Sequence, residues 1–144
     1  MVPALGMART TDLPNDPQPS RLQVLVVDDD AGSAKSMAAL LGLSGHDVRV
    51  AADGPTALEA AESDRPDVVL LDIGLPGMGG CEVARRLCTQ AKHKPPFIIA
   101  VTGFGKEDAP RRSEESGIDL HLVKPVNWSQ LSALLQRFMK LVCG

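Results

Sequence analysis

Residues 66–80 read PDVVLLDIGLPGMGG, and no other stretch narrows the choice of fold as far. The apolar run Val68, Val69, Leu70, Leu71 is too short for a helix buried all round. It holds two β-branched residues and stops at a carboxylate followed by a glycine- and proline-rich loop. That pattern predicts a strand ending at Asp72. Successive apolar positions fill both faces of a strand, which suits a parallel sheet covered by helices on each side. In open α/β sheets the reactive groups gather beyond the carboxyl ends of such strands, which puts Asp72 where chemistry is expected.

The rest of the chain supplies the partners such a strand needs. LQVLVVDDD, from Leu22, is a second β-branched run closed by Asp28, Asp29 and Asp30. Ser33 is placed to cap the helix that follows, with Met37, Leu40 and Leu41 at helical spacing before Gly42 to Gly45 turns the chain. Asp30 is expected to start that helix in solvent. HDVRVA, from His46 to Ala51, alternates as an edge strand does, and Asp53-Gly54-Pro55 reads as a turn with proline at a helix's first position. A helix is expected over Ala57 to Glu62. Cys81 to Lys92 places Val83, Ala84, Leu87 and Cys88 on one face and Arg85 and Arg86 on the other, an amphipathic helix broken by Pro95-Pro96.

PFIIAVTG is a buried strand ending at Thr102, with Gly103-Phe104-Gly105 read as a hinge. Glu107 to Ser116 is a polar helix stopped by Gly117, and Asp119 to Val123 is a last strand that delivers Lys124 before Pro125. Asn127 caps a final helix whose apolar stripe is Trp128, Leu131, Leu134, Leu135, Phe138, Met139 and Val142. Strands alternating with helices through short connections specify a parallel sheet with right-handed crossovers and helices on both faces. Residues 1–20 hold four prolines and little apolar periodicity, so a tail without stable structure is expected there and one domain over 21–144.

Asp28, Asp29, Asp72, Thr102 and Lys124 all fall at strand ends that should meet along one sheet edge. Three acids crowded there repel and raise one another's pKa unless a cation joins them. Oxygen ligands favour Mg²⁺ over zinc, and an open Mg²⁺ site takes phosphate oxygens. A carboxylate nucleophile, a metal, a lysine and a hydroxyl together suit phosphoryl transfer.

From Leu22 to about Val142 the chain resembles the receiver domains of bacterial two-component response regulators. The motifs VLVVDDD, PDVVLLDIGLPGMGG, IIAVTG and HLVKP carry the resemblance, in the family's order and spacing. The resemblance implies a flavodoxin-like (βα)5 doubly wound sheet of order 2-1-3-4-5. It implies Asp72 as phospho-acceptor and Asp28, Asp29, Asp72 and the backbone carbonyl of Gly74 as Mg²⁺ ligands. Thr102 and Lys124 would contact the phosphoryl group, and the Lys124–Pro125 peptide would be cis. The implied partners are a sensor histidine kinase or phosphotransfer protein as donor, and a downstream protein bound on the face built by the helix at 107–116, the last strand and the last helix. The role implied is that of a phosphorylated regulatory module rather than an enzyme. Two departures stand out: Gly79-Gly80-Cys81 follows Met78 where the family commonly has Asp-Gly and a large apolar residue, and His121 stands where an aromatic is usual. The second predicts a weaker inward-turning switch, because a buried imidazole needs a hydrogen-bond partner.

Other classes fit less well. An aspartyl-phosphate phosphatase would need an acid at 74, where the chain has Gly74. A degenerate receiver serving only as a docking surface would not keep the full acidic, hydroxyl and lysine set, whereas the receiver of a hybrid histidine kinase would look the same. A formal charge of −3 with no Lys/Arg run gives no footprint for direct nucleic-acid binding. No apolar run approaches the roughly 18 residues of a membrane span, and a cytoplasmic location is expected. Cys81, Cys88 and Cys143 are odd in number without metal-ligand spacing, and the three histidines His46, His93 and His121 lack it too, so thiols are expected reduced and imidazoles at the surface or half-buried.

Overall fold

A computed structural model describes residues 21–75, 77–91, 94–103 and 117–143. The strands are β1 (Gln23–Val27), β2 (Asp47–Ala51), β3 (Val68–Asp72), β4 (Phe97–Thr102) and β5 (Leu120–Val123). The helices are α1 (Ala31–Leu43), α2 (Gly54–Asp64), α3 (Gly80–Gln90) and α4 (Trp128–Cys143). All strands pair in parallel in the order β2-β1-β3-β4-β5, as expected. The tail at 1–20, the helix read over 107–116, most of the hinge, Lys92 and His93 lie outside the described residues.

The apolar runs fill both faces of the sheet. Leu25, Val27, Val69, Leu71, Ile98 and Ala100 point to one side, where α2 and α3 bring Ala57, Ala60, Val83, Ala84 and Leu87. Val24, Val26, Val68, Leu70, Ile99 and Leu122 point to the other, against Ala34 and Leu41 of α1 and Leu131 and Leu135 of α4. Every residue of β3 is buried, as a central strand between two helical layers must be.

Several local expectations are corrected. The N-cap of α1 is Asp30, with no side-chain cap bond, and Ser33 lies inside the first turn, where its hydroxyl donates to Asp30 Oδ2 at 2.7 Å. The helix runs on through Leu43, past Gly42, because the turn does not close until Ser44 and Gly45 donate to the carbonyls of Leu40, Leu41 and Gly42. α2 starts at Gly54, capped by Asp53, whose carboxylate accepts the Thr56 N–H at 2.8 Å, so Pro55 is its second residue rather than its first. It ends at Arg65 in the left-handed conformation, φ 50°. Asn127 caps α4 as read, accepting from the Gln130 N–H at 3.0 Å. The Lys124–Pro125 peptide is cis. Among the described residues no helix is long and apolar enough to cross a membrane.

Candidate functional site

Parallel pairing brings the strand ends into line. Leu71 lies beside Val27 and Ala100, Asp72 beside Val101, and Thr102 beside Val123. The residues just beyond β1 and β5, together with the last residues of β3 and β4, therefore share the carboxyl edge of the sheet. Backbone bonds continue past the strands and fix these ends: the Asp28 N–H donates to the Ala51 carbonyl at 3.1 Å, the Ile73 N–H to Val101 at 3.1 Å, and the Lys124 N–H to Thr102 at 2.8 Å.

At that edge one carboxylate oxygen from each of Asp28, Asp29 and Asp72 lies within 4.8 Å of the others. Asp28 and Asp72 are each only 9% exposed, while Asp29 faces solvent. Each buried carboxylate is held by a backbone amide two residues on, Asp28 Oδ1 by Asp30 at 2.9 Å and Asp72 Oδ1 by Gly74 at 3.0 Å. Lys124 Nζ stands 3.4 Å from Asp72 Oδ2 and 3.6 Å from Asp28 Oδ2. Thr102 is buried beside them at the end of β4. A groove of about 710 Å3 between α1 and residues 124–126 opens onto Asp28 and Asp72.

The electrostatics follow from that packing. Burial pushes the Asp28 carboxyl above the ordinary carboxylate range, and the Asp72 charge adds to the rise, against the pull of the Asp30 amide and Lys124. Burial works against the Lys124 ammonium too, but attraction to Asp72 and Asp28 outweighs it, so its pKa is raised. One lysine thus faces two buried acids and an exposed third. The donor set fits a hard divalent cation: carboxylate oxygens alone, close enough to share one ion, and short of positive charge.

The structure therefore brings Asp28, Asp29, Asp72, Thr102 and Lys124 to one edge, and Gly74 to the loop leaving it. Asp30 is exposed, as read, and its carboxylate is drawn below the usual range by the Ser33 hydroxyl. His121 lies on β5 opposite Ala100, with Nε2 buried and without a hydrogen-bond partner among the described residues. His46 departs from the surface or half-buried reading: it is buried, 9% exposed, and Nδ1 accepts the Leu22 N–H at 3.1 Å. Two contributors to the site's frame carried no sequence signal of their own. One is Asp67, whose carboxylate accepts the Gln23 N–H at 2.8 Å and aligns β1 with β3. The other is Gly54, whose missing side chain leaves room for Met78 of the loop after Asp72.

Residues 24–136 match the family model described as the response regulator receiver domain. Response regulator MprA of Mycolicibacterium vanbaalenii is 33% identical over 119 residues, 83% of this chain and 51% of that protein. DNA-binding response regulator MtrA of Mycobacterium tuberculosis is 39% identical over 113 residues, 78% of this chain and 48% of that protein. The chain thus spans about half the length of these curated relatives. Among solved structures, chemotaxis protein CheY4 of Vibrio cholerae superposes with a TM-score of 0.74 at 32% identity, covering 80% of this chain and 96% of that one. A CheY-like receiver domain protein of Methanospirillum hungatei gives 0.75 at 28% identity, covering 82% and 93%. With its fold, its edge of acids and its matched residues in agreement, the chain belongs to the receiver domains of two-component response regulators.

Proposed function

We propose that Asp72 accepts a phosphoryl group from the phosphohistidine of a sensor kinase or phosphotransfer protein. The observation that carries this reading is the meeting of three carboxylates within 4.8 Å with a lysine 3.4 Å from Asp72 Oδ2. In the reaction a carboxylate oxygen of Asp72 attacks phosphorus, the bond from phosphorus to the imidazole nitrogen breaks, and the neutral imidazole leaves after taking up a proton. Asp28, Asp29, Asp72 and the Gly74 carbonyl would hold Mg²⁺, which when bound would neutralise charge at the transferring group. Lys124 offers its ammonium and Thr102 its hydroxyl to the remaining phosphoryl oxygens. The Gly74 and Asp30 amides keep the two buried carboxylates aimed at the edge, so little reorganisation is needed when the donor arrives.

The consequence of phosphorylation is a change in what the domain binds, on the face that includes β5 and α4, with His121 as the residue that answers movement of Thr102. The formal charge of −3 supports a protein rather than a nucleic acid as the partner of this domain. Intact-mass measurement with acetyl phosphate or phosphoramidate tests the central step. The wild type should gain one phosphoryl adduct in Mg²⁺ and none in EDTA, and Asp72→Asn should gain none in either. A full adduct on the Asn variant would assign the acceptor elsewhere.

A further inference from the structure

The loop between β3 and α3 carries Gly74, and the position of that loop is set from outside by another helix. Gly54, the first residue of α2, is buried. A methyl group there would lie 2.9 Å from Val83 Cγ2, 3.0 Å from Met78 Sδ and 3.1 Å from Met78 Cβ. The backbone of Gly54 is not left-handed, so conformational freedom is not what calls for glycine. Space is. At the loop's far end Gly80 makes a similar approach: a Cβ there would lie 2.6 Å from Ile73 Cα and 3.0 Å from the Asp72 carbonyl oxygen. The loop is thus closed on itself at Gly80 and pinned to α2 at Gly54.

The pin matters because α2 belongs to the frame that carries Asp28. The Asp28 N–H donates to the carbonyl of Ala51, the last residue of β2, and Gly54 follows three residues later. The contact between Gly54 and Met78 therefore fixes the distance between the acids at the end of β1 and the loop bearing Gly74. We infer that Gly54 and Met78 are a positioning pair for Mg²⁺, a fitted contact that sets the spacing of the metal's ligands without touching the ion. This rests on the proposed assignment of Asp28, Asp29, Asp72 and Gly74 to the metal.

The contact is testable from both of its sides. Mg²⁺ affinity is measured by calorimetry, alongside melting temperature in EDTA, for wild type, Gly54→Ala, Met78→Ala, the double variant and Ala60→Gly. Groups that orient metal ligands are typically worth 10–100-fold in affinity, so each single variant of the pair should bind Mg²⁺ about 10-fold more weakly. The double variant should lose less affinity than the product of the two single losses, because removing the thioether relieves one of the three close approaches of the added methyl while those to Val83 Cγ2 and the Cβ at 78 remain. Ala60→Gly, further along α2, should melt lower in EDTA yet bind Mg²⁺ as wild type does. Wild-type affinity in Met78→Ala, with Gly54→Ala either wild-type in affinity or unfolded, overturns the inference. So does an equal loss in Ala60→Gly, which would mark the effect as general loosening. A failure of the metal assignment reads differently: wild type and Asp29→Ala would then titrate alike.

Discussion

Asp28 is the carboxylate under most tension at the site, buried, beside the Asp72 charge, and only partly compensated by Lys124. Its folded pKa lies above its unfolded value, so this group costs stability once the pH rises above the unfolded value, and the cost is complete above the folded one. Asp28→Asn removes that charge and keeps an oxygen for the Asp30 amide. In EDTA at pH 7 it should therefore melt above wild type, with the gap closing as the pH falls into the carboxylate range. In millimolar Mg²⁺ the proposed metal assignment reverses the order, since wild type would gain binding free energy that the variant largely loses. Thermal melts in both media at pH 4 and pH 7 check this, and a wild type more stable than Asp28→Asn in EDTA at pH 7 would contradict it. The acids and the lysine were legible because each ends an apolar run, a pattern visible without coordinates. Ser33 was misread for a local reason: Asp30 already occupies the capping position, and the serine hydroxyl turns back to it.

His46 shows what the strands owe to their joints. It precedes β2, and its imidazole accepts the backbone amide that leads into β1, while the Asp47 N–H donates to the Leu22 carbonyl at 2.9 Å. Burial lowers its pKa, and protonation would set two donors against each other. The unfolded chain then binds the proton more readily than the folded one. The contribution of His46 is full above the ordinary imidazole value and is lost as the pH falls below it, toward the lowered folded value. Melting temperature should fall between about pH 7 and pH 5 in wild type, and His46→Asn, which keeps an acceptor, should flatten that fall. An unchanged slope would assign the dependence to other groups. Nothing in the sequence marked this histidine, because its partner is a main-chain amide 24 residues away. Gly54 is equally silent: a glycine after aspartate reads as a turn, and only the structure shows that it starts a helix and that Met78 packs where its side chain would be.

The strand order follows from the resemblance alone, and the division into two cores from apolar runs that fill both faces of the strands. Helix ends follow from neither, since they depend on caps such as Asp53 and on left-handed stops such as Arg65. Ile98 and Ile99 test the division directly. They are adjacent in sequence, both 0% exposed, and belong to opposite cores. Each Ile→Val change should cost about 0.5–1.5 kcal/mol. With no shared partners across the sheet, the double variant should equal the sum within about 0.5 kcal/mol in urea unfolding. A larger deviation would show that the sheet transmits strain between its two faces.

The bond from the Lys124 amide to the Thr102 carbonyl makes the hydroxyl-bearing and ammonium-bearing ends of two strands a single rigid piece. Neither can slide past the other without tearing the β4–β5 seam, so under the proposed function Thr102 and Lys124 would answer Asp72 by rotating their side chains rather than by a shift between their strands. The Lys124 amide becomes a tell-tale for the manner of signalling: its deuterium uptake should stay as slow with beryllofluoride bound as without, while the surface around it rearranges.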